Sequence, residues 1–240
     1  MASSFIFKKD DQLFLITNLH NVTGRDPATG EVISDHAGIP DLIVAYLRTS
    51  ADPGRALRQT IRLYEDDNMT QPRWLVHPKY NAVDVIALPI SNDPSSYFQP
   101  INELPFDVDI RAEVADDCFI VGYPFSEFTY LGLPIWKRAS IATEPTVNVD
   151  QLPKLLVDTA TRSGMSGAPV IYQRIGVHRL KEGKLSGNST FGRIRGFLGV
   201  YSGRLGNGEM LAQLGIVWKA RVIEEIIDGG KRGDTQFQRI

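Results

Sequence analysis

The chain predicts an all-β fold of the sandwich or barrel kind. Its apolar residues fall in short runs rich in Val, Ile, Leu, Phe and Tyr, and Gly, Pro, Asn or Asp separate the runs. Only the last segment repeats its apolar residues at helical spacing. A parallel sheet of βαβ units would need such a helical pattern after each strand, so that architecture is disfavoured.

Taken in order, strands are expected at residues 5–7, 13–17, 42–47, 61–64, 85–90, 119–121, 155–157, 169–172, 197–201 and 211–217. A terminal helix is expected over 220–228, where Val222, Ile223, Ile226 and Ile227 share one face and Gly229-Gly230 supplies a stop. Residues 91–109, rich in Pro, Asn, Ser and Asp, read as a linker, which divides the chain into units 1–105 and 106–240. Residues 176–192 are polar, basic and punctuated by glycine, as in a long surface loop or hairpin. No repeat of fixed period and no low-complexity tract is present.

The composition narrows the function. The chain has 240 residues, 42% of them hydrophobic and 22% charged, enough for a sizeable core in one or two units. The 26 Lys and Arg residues against 28 Asp and Glu give a net charge of -2, with no long basic block to follow a phosphate backbone, so no nucleic-acid partner is expected. The N-terminal apolar runs are split by KKDDQ, which disfavours a signal peptide or membrane span and leads to an expected cytoplasmic location. Cys118 is the only cysteine, so no disulfide forms within the chain, and its apolar neighbours suit a small core residue. The sequons at Asn21, Asn68 and Asn188 read as chance, because a glycan at Asn21 would crowd His20.

Three residues carry candidate chemistry. His20 closes the strand LFLITNLHNV, a place where a ring can be held rigidly at a cleft. Ser166 lies in TRSGMSGAPV, where flanking glycines permit a tight turn that presents a hydroxyl and gathers N–H groups. Asp84, in HPKYNAVDVIALPI, enters an apolar strand and needs a hydrogen-bonding partner, for which a histidine N–H is suited. Read singly, each also has an ordinary reading: a solvated histidine, a turn serine, a strand-capping aspartate.

Together the segments ITNLHNV, HPKYNAVDVIALPI and SGMSGAPV resemble those of the chymotrypsin-like and trypsin-like serine peptidases, in the order His, Asp, Ser. FLGVYSGRL is similar to that family's cleft-lining strand and LGIVWKARVIEEII to its closing strand and terminal helix, so the resemblance runs from about residue 3 to about residue 228. It implies two six-stranded-type antiparallel β-barrels with the active site between them and a C-terminal α-helix. It also implies a triad of His20, Asp84 and Ser166, an oxyanion hole from the Gly164 and Ser166 N–H groups, and Ser202 as a group orienting the aspartate. Ala160, Thr161, Tyr201 and Gly203 would wall the substrate pocket. Arg204 there is either solvated or an attractor of acidic side chains. The implied partner is a protein or peptide substrate, with no metal, organic cofactor, nucleic acid or membrane, and with an activating partner or further domain left open. A catalytically silent binding module and an esterase are the alternatives.

Two departures from the family matter. Met165 stands where zymogen-activated members keep an aspartate that pairs with a freed N-terminus, so no such switch is expected; in this and in lacking disulfides the chain is nearer the bacterial and intracellular branches. Only 19 residues precede His20, so either the first barrel is completed differently or the chain is a fragment.

Overall fold

In the computed structural model the described residues are 1–27, 29–33, 38–49, 56–93, 95–107, 111–124, 132–160, 163–179, 184–205 and 213–235. The described chain is antiparallel β structure closed by one longer helix. Its first half contains β1 (Phe5–Lys9), β2 (Gln12–Thr17), the short helix α1 (Leu19–Thr23), β3 (Leu42–Arg48), β4 (Ala56–Arg62) and β5 (Ile86–Ile90). A single 3-10 turn, Ile101–Glu103, lies in the stretch expected as a linker. The second half contains β6 (Asp117–Gly122), β7 (Ile135–Ile141), β8 (Lys154–Asp158), β9 (Pro169–His178), β10 (Thr190–Arg204), β11 (Leu214–Lys219) and the helix α2 (Arg221–Gly229).

The first half orders its strands as β1-β2-β5, with β3-β4 as a separate hairpin. A sixth extended segment joins them. Arg73 N donates to Leu63 O just beyond β4, and Leu75 and Ala87 exchange both of their backbone hydrogen bonds. The segment around residues 72–76 therefore links β4 to β5 through isolated bridges and gives this half six extended pieces among the described residues. Its apolar filling includes Leu15, Ile16's neighbour on the opposite pleat, with Leu63, Trp74, Ile86 and Leu88, all fully enclosed. Successive strand residues point to opposite faces, so Leu13 and Leu15 face this filling while Phe14 and Ile16 face the second half.

The second half is a closed six-stranded barrel in the order β10-β11-β8-β7-β6-β9. Cys118, Ile141, Val157, Val170, Leu198 and Val217, one from each of the six strands, line its interior, and the closed order leaves no unpaired edge around the barrel wall among the described residues. Beyond the wall, β9 and the start of β10 continue as a two-stranded antiparallel ribbon paired from Arg174↔Ile194 to His178↔Thr190, so the two ends of the polar stretch 176–192 pair with each other, and residues 180–183 between them lie outside the described residues.

A shared apolar cluster joins the halves. Phe7, Phe14, Ile16, Val85 and Ala87 from the first pack with Ile171, Val200, Trp218, Val222 and Ile226 from the second. Helix α2 supplies the amphipathic lid of this cluster: Val222, Ile223 and Ile226 are buried, and Gly230 at φ +56 ends it by donating back to Ile226 and Ile227. The chain then returns to the first half, where Val76 N donates to Lys231 O and Gly233 N to Trp74 O.

Two expectations need correction. His20 does not close a strand: β2 ends at Thr17, and His20 sits in α1, which stops at Gly24 in the left-handed region. The fourth strand begins earlier than residue 61, and residues 63–64 beyond it serve the link to the 72–76 segment. The start of the last expected strand, 211–212, lies outside the described residues.

Candidate active site

Asp84 enters the molecule two residues before β5, between Val83 and Val85, and is 4% exposed. A carboxylate so enclosed needs donors to replace water. It has three: the His20 backbone N–H at 2.9 Å, the His20 ring at Nδ1 at 2.6 Å, and the Ser202 hydroxyl at 2.5 Å. The Asp84 backbone carbonyl is held separately by Asn18 Nδ2. Asn18 and His20 flank the start of α1, so the short helix presents both its backbone and its ring to one carboxylate.

The upstream turn is built by a second histidine. His77 Nδ1 accepts from the backbone N–H groups of Lys79 and Tyr80, and its Nε2–H donates to Glu225 at 2.9 Å. This 3% exposed ring is a structural cap that fixes the HPKYN turn leading to Asp84. His178, also buried, pairs with the Gly192 carbonyl in the ribbon.

With Nδ1–H given to Asp84, the His20 tautomer leaves a lone pair on Nε2, and among the described residues Nε2 has no hydrogen-bond partner. The side chain is 17% exposed, so that face of the ring is open to an incoming group.

Ser202 reaches Asp84 because β10 is bulged. Tyr201 pairs with Val217 and Gly203 with Ile216, so Ser202 is one extra residue on its strand. A bulge re-aims a side chain that regular pleating would send elsewhere.

Ser166 occupies the turn between β8 and β9 and is half-buried. Gly164 at φ +93 and Gly167 at φ +86 bracket it in conformations that favour glycine. A Cβ on Gly167 would lie 2.1 Å from the Ser3 carbonyl oxygen and 2.5 Å from Thr17 Oγ1, so the turn packs against the end of β2, three residues before His20. Asn21 of α1 donates to that same Thr17 Oγ1. On the other side, Gly167 N donates to Tyr201 O and Tyr201 N to Ala168 O, beside Ser202. The serine turn is thus wedged between the element bearing His20 and the strand bearing Ser202. Among the described residues Ser166 Oγ makes no hydrogen bond to His20, and the Gly164 and Ser166 N–H groups donate to no protein acceptor.

The expected pocket wall is mixed. Ala160 is exposed, Gly203 is partly buried at φ +128, and Thr161 lies outside the described residues. Tyr201 is 1% exposed, and its ring lies against Gly215 and near Thr159, since a Cβ on Gly215 would be 2.6 Å from Tyr201 Cε2 and 3.2 Å from Thr159 Cγ2. Arg204 is exposed. Met165 is 1% exposed and belongs to the barrel filling. Cys118 is fully buried, and burial pushes its thiol up to about 12.

No protein family and no curated protein matches the sequence. Solved structures resemble the chain at low identity. A serine endoprotease from Yersinia pestis is 16% identical with a TM-score of 0.46; the match covers 94% of this chain and 57% of that one. The Rv3671c protease from M. tuberculosis in its active form is 17% identical with a TM-score of 0.45, covering 98% of this chain and 74% of that one. Its inactive form is 18% identical at 0.45, covering 95% and 82%. This chain therefore spans a little over half the length of the Yersinia enzyme.

Proposed function

We propose that the chain is a serine endopeptidase of the trypsin-like kind, with barrel units 1–105 and 106–240 and with His20, Asp84 and Ser166 as its triad. The observation that carries this reading is the buried Asp84 carboxylate, which binds the His20 ring at Nδ1 and leaves Nε2 free. A merely structural aspartate would be satisfied by any donors. Here three donors combine to fix one tautomer and one orientation of an accessible imidazole.

In the reaction, substrate binding brings Ser166 Oγ and His20 Nε2 into hydrogen-bond reach. Oγ attacks the peptide carbonyl as Nε2 takes its proton, giving a tetrahedral oxyanion held by the Gly164 and Ser166 N–H groups. Collapse breaks the C–N bond, the proton on Nε2 passes to the leaving amine, and an acyl-enzyme remains. Water then attacks that ester with His20 again as base, releasing the acid and restoring the serine. Asp84 stabilises the imidazolium in both halves of the cycle, and Ser202 holds the carboxylate in place.

The enclosed Tyr201 ring at Gly215 and Thr159 takes up volume beside the cleft-lining strand, which supports a preference for a small or apolar side chain before the scissile bond. No acidic residue among Ala160, Thr161, Tyr201 and Gly203 is present to select Lys or Arg.

A fluorophosphonate probe tests the site, because it adds to a serine only where a base and oxyanion donors support the addition. Label should appear on the wild type, vanish in Ser166→Ala and fall severely in His20→Ala. Cleavage of a peptide library then separates a peptidase from an esterase. A folded wild type that takes no label, alone or in cellular lysate, points to the silent binding module.

A further inference from the structure

The Gly164–Met165 peptide lies between the two N–H groups that the proposed mechanism uses. Its orientation decides whether those groups point at one spot. Gly164 at φ +93 has no side chain to restrict it, and Met165 can offer no charge to pin the turn.

One residue outside the turn holds it. Ser3, just before β1, is 2% exposed and uses every polar atom it has. Its hydroxyl donates to Gly164 O at 2.7 Å and accepts from Tyr123 N at 3.0 Å. Its backbone N–H donates to Ser166 O at 2.8 Å, and its carbonyl accepts from Thr17 Oγ1 at 2.9 Å. One side chain thus ties the carbonyl of the intervening peptide to the end of β6, while its own backbone ties the nucleophile to β2.

The fit around it is close. A Cβ on Gly122 would come within 2.6 Å of Ser3 Oγ and 3.2 Å of Met165 Sδ. With the hydroxyl deleted, the Gly164 carbonyl and the Tyr123 N–H lose their partner in a buried place, and rotation of the Gly164–Met165 peptide becomes the route by which the carbonyl finds another. That rotation would swing the neighbouring N–H groups away from convergence.

We infer that Ser3 is a positioning residue for the nucleophile turn: its hydroxyl, through the Gly164 carbonyl, keeps the Gly164 and Ser166 N–H groups in the arrangement that receives an oxyanion. It never touches substrate. This rests on the peptidase reading of the site, but the holding role itself is visible without turnover.

The experiment compares the full chain as wild type, Ser3→Ala and Ser3→Thr. Amide exchange is followed at Gly167 and Ala168, whose hydrogen bonds close the turn, against Val200 and Trp218 in the barrel. Exchange in Ser3→Ala should quicken at the turn by about 10-fold or more while the barrel amides stay put, the scale set by orphaning a buried polar group. Fluorophosphonate labelling should slow by about 10- to 100-fold, with peptide KM nearly unchanged and kcat carrying the loss. Ser3→Thr, which keeps the hydroxyl, should recover most of both. Exchange that is unchanged, or that rises equally everywhere, overturns the inference, as does local loosening with labelling intact. A wild type that takes no label overturns the peptidase reading instead, and turn-specific exchange in Ser3→Ala would still establish that Ser3 holds the turn.

Discussion

His20 and Asp84 in the first half are fixed by hydrogen bonds between their own side chains, whereas Ser166 in the second is fixed through its backbone, by two glycines and by hydrogen bonds from Ser3 and to Tyr201 around the turn. The first half is a sheet and a hairpin linked through single bridges; Asp84 sits at its inner margin and draws its third donor, Ser202, from the other half. The second half is a closed barrel, and its serine turn is set by two glycines and by strand-end hydrogen bonds to Tyr201. The difference teaches where each part is vulnerable. A conservative change of side chain should disturb the imidazole and aspartate, while the serine turn should yield to added bulk, added charge or loss of the one side-chain hydroxyl that anchors its backbone, that of Ser3.

Asp84→Asn makes the sharpest test of the first statement. The amide keeps the shape but cannot accept at both positions, so the ring is driven to the other tautomer, and turnover should drop by about 10⁴-fold with the melting curve little changed. A drop smaller than tenfold would mean that Asp84 serves the fold alone. Met165→Asp tests the second: an unpaired carboxylate in the barrel filling should cost about 3–5 kcal/mol in urea unfolding. If the variant were as stable as wild type, the turn would hold a cationic partner for that site.

Ser202→Ala separates the two halves' contributions. It removes one of three donors to a buried carboxylate, a loss of about 1–3 kcal/mol, and should slow labelling less than Asp84→Asn does. Equal effects would show that Asp84 orients His20 only while Ser202 holds the carboxylate in place. The smallest effect concerns Cys118. Because burial raises its pKa from 9.0 to about 12, the thiol's stabilising share is complete below about pH 9 and is lost as the pH rises toward about 12. Iodoacetamide at pH 8 should leave it unmodified in the native protein and alkylate it in urea; rapid native alkylation would contradict a closed barrel interior.

The site was legible in the sequence where residue type alone limits conformation. Glycines around Ser166 announce a turn, and an aspartate among Val and Ile announces a need for partners. Ser202 was suggested by resemblance, but its bulge depends on the register with β11, which no local pattern reveals. Ser3 carries no local signal, since a serine before a strand is ordinary until the turn 161 residues away is packed onto it. The helix holding His20 is five residues long, too short for a periodic pattern, and only Gly24 as its stop could have betrayed it. Strand β7 escaped because Trp136 and Arg138 on its outer half are exposed and blur the alternation. The 72–76 segment pairs through isolated bridges, so its Trp-Leu-Val run reads as too short for a strand.

The apolar cluster between the halves has a thermodynamic consequence. Phe14 and Ile16 point away from their own half's filling, and α2 with residues 231–233 belongs by sequence to one half and by contact to both. Neither half therefore encloses its apolar surface alone, and separating them would expose Trp218, Val200 and Val85 to water together. The chain should melt as a single calorimetric unit, with van't Hoff and measured enthalpies in agreement, even though its sheets are two. The cleft chemistry would then disappear at the same temperature as the fold, with no partly active intermediate between them.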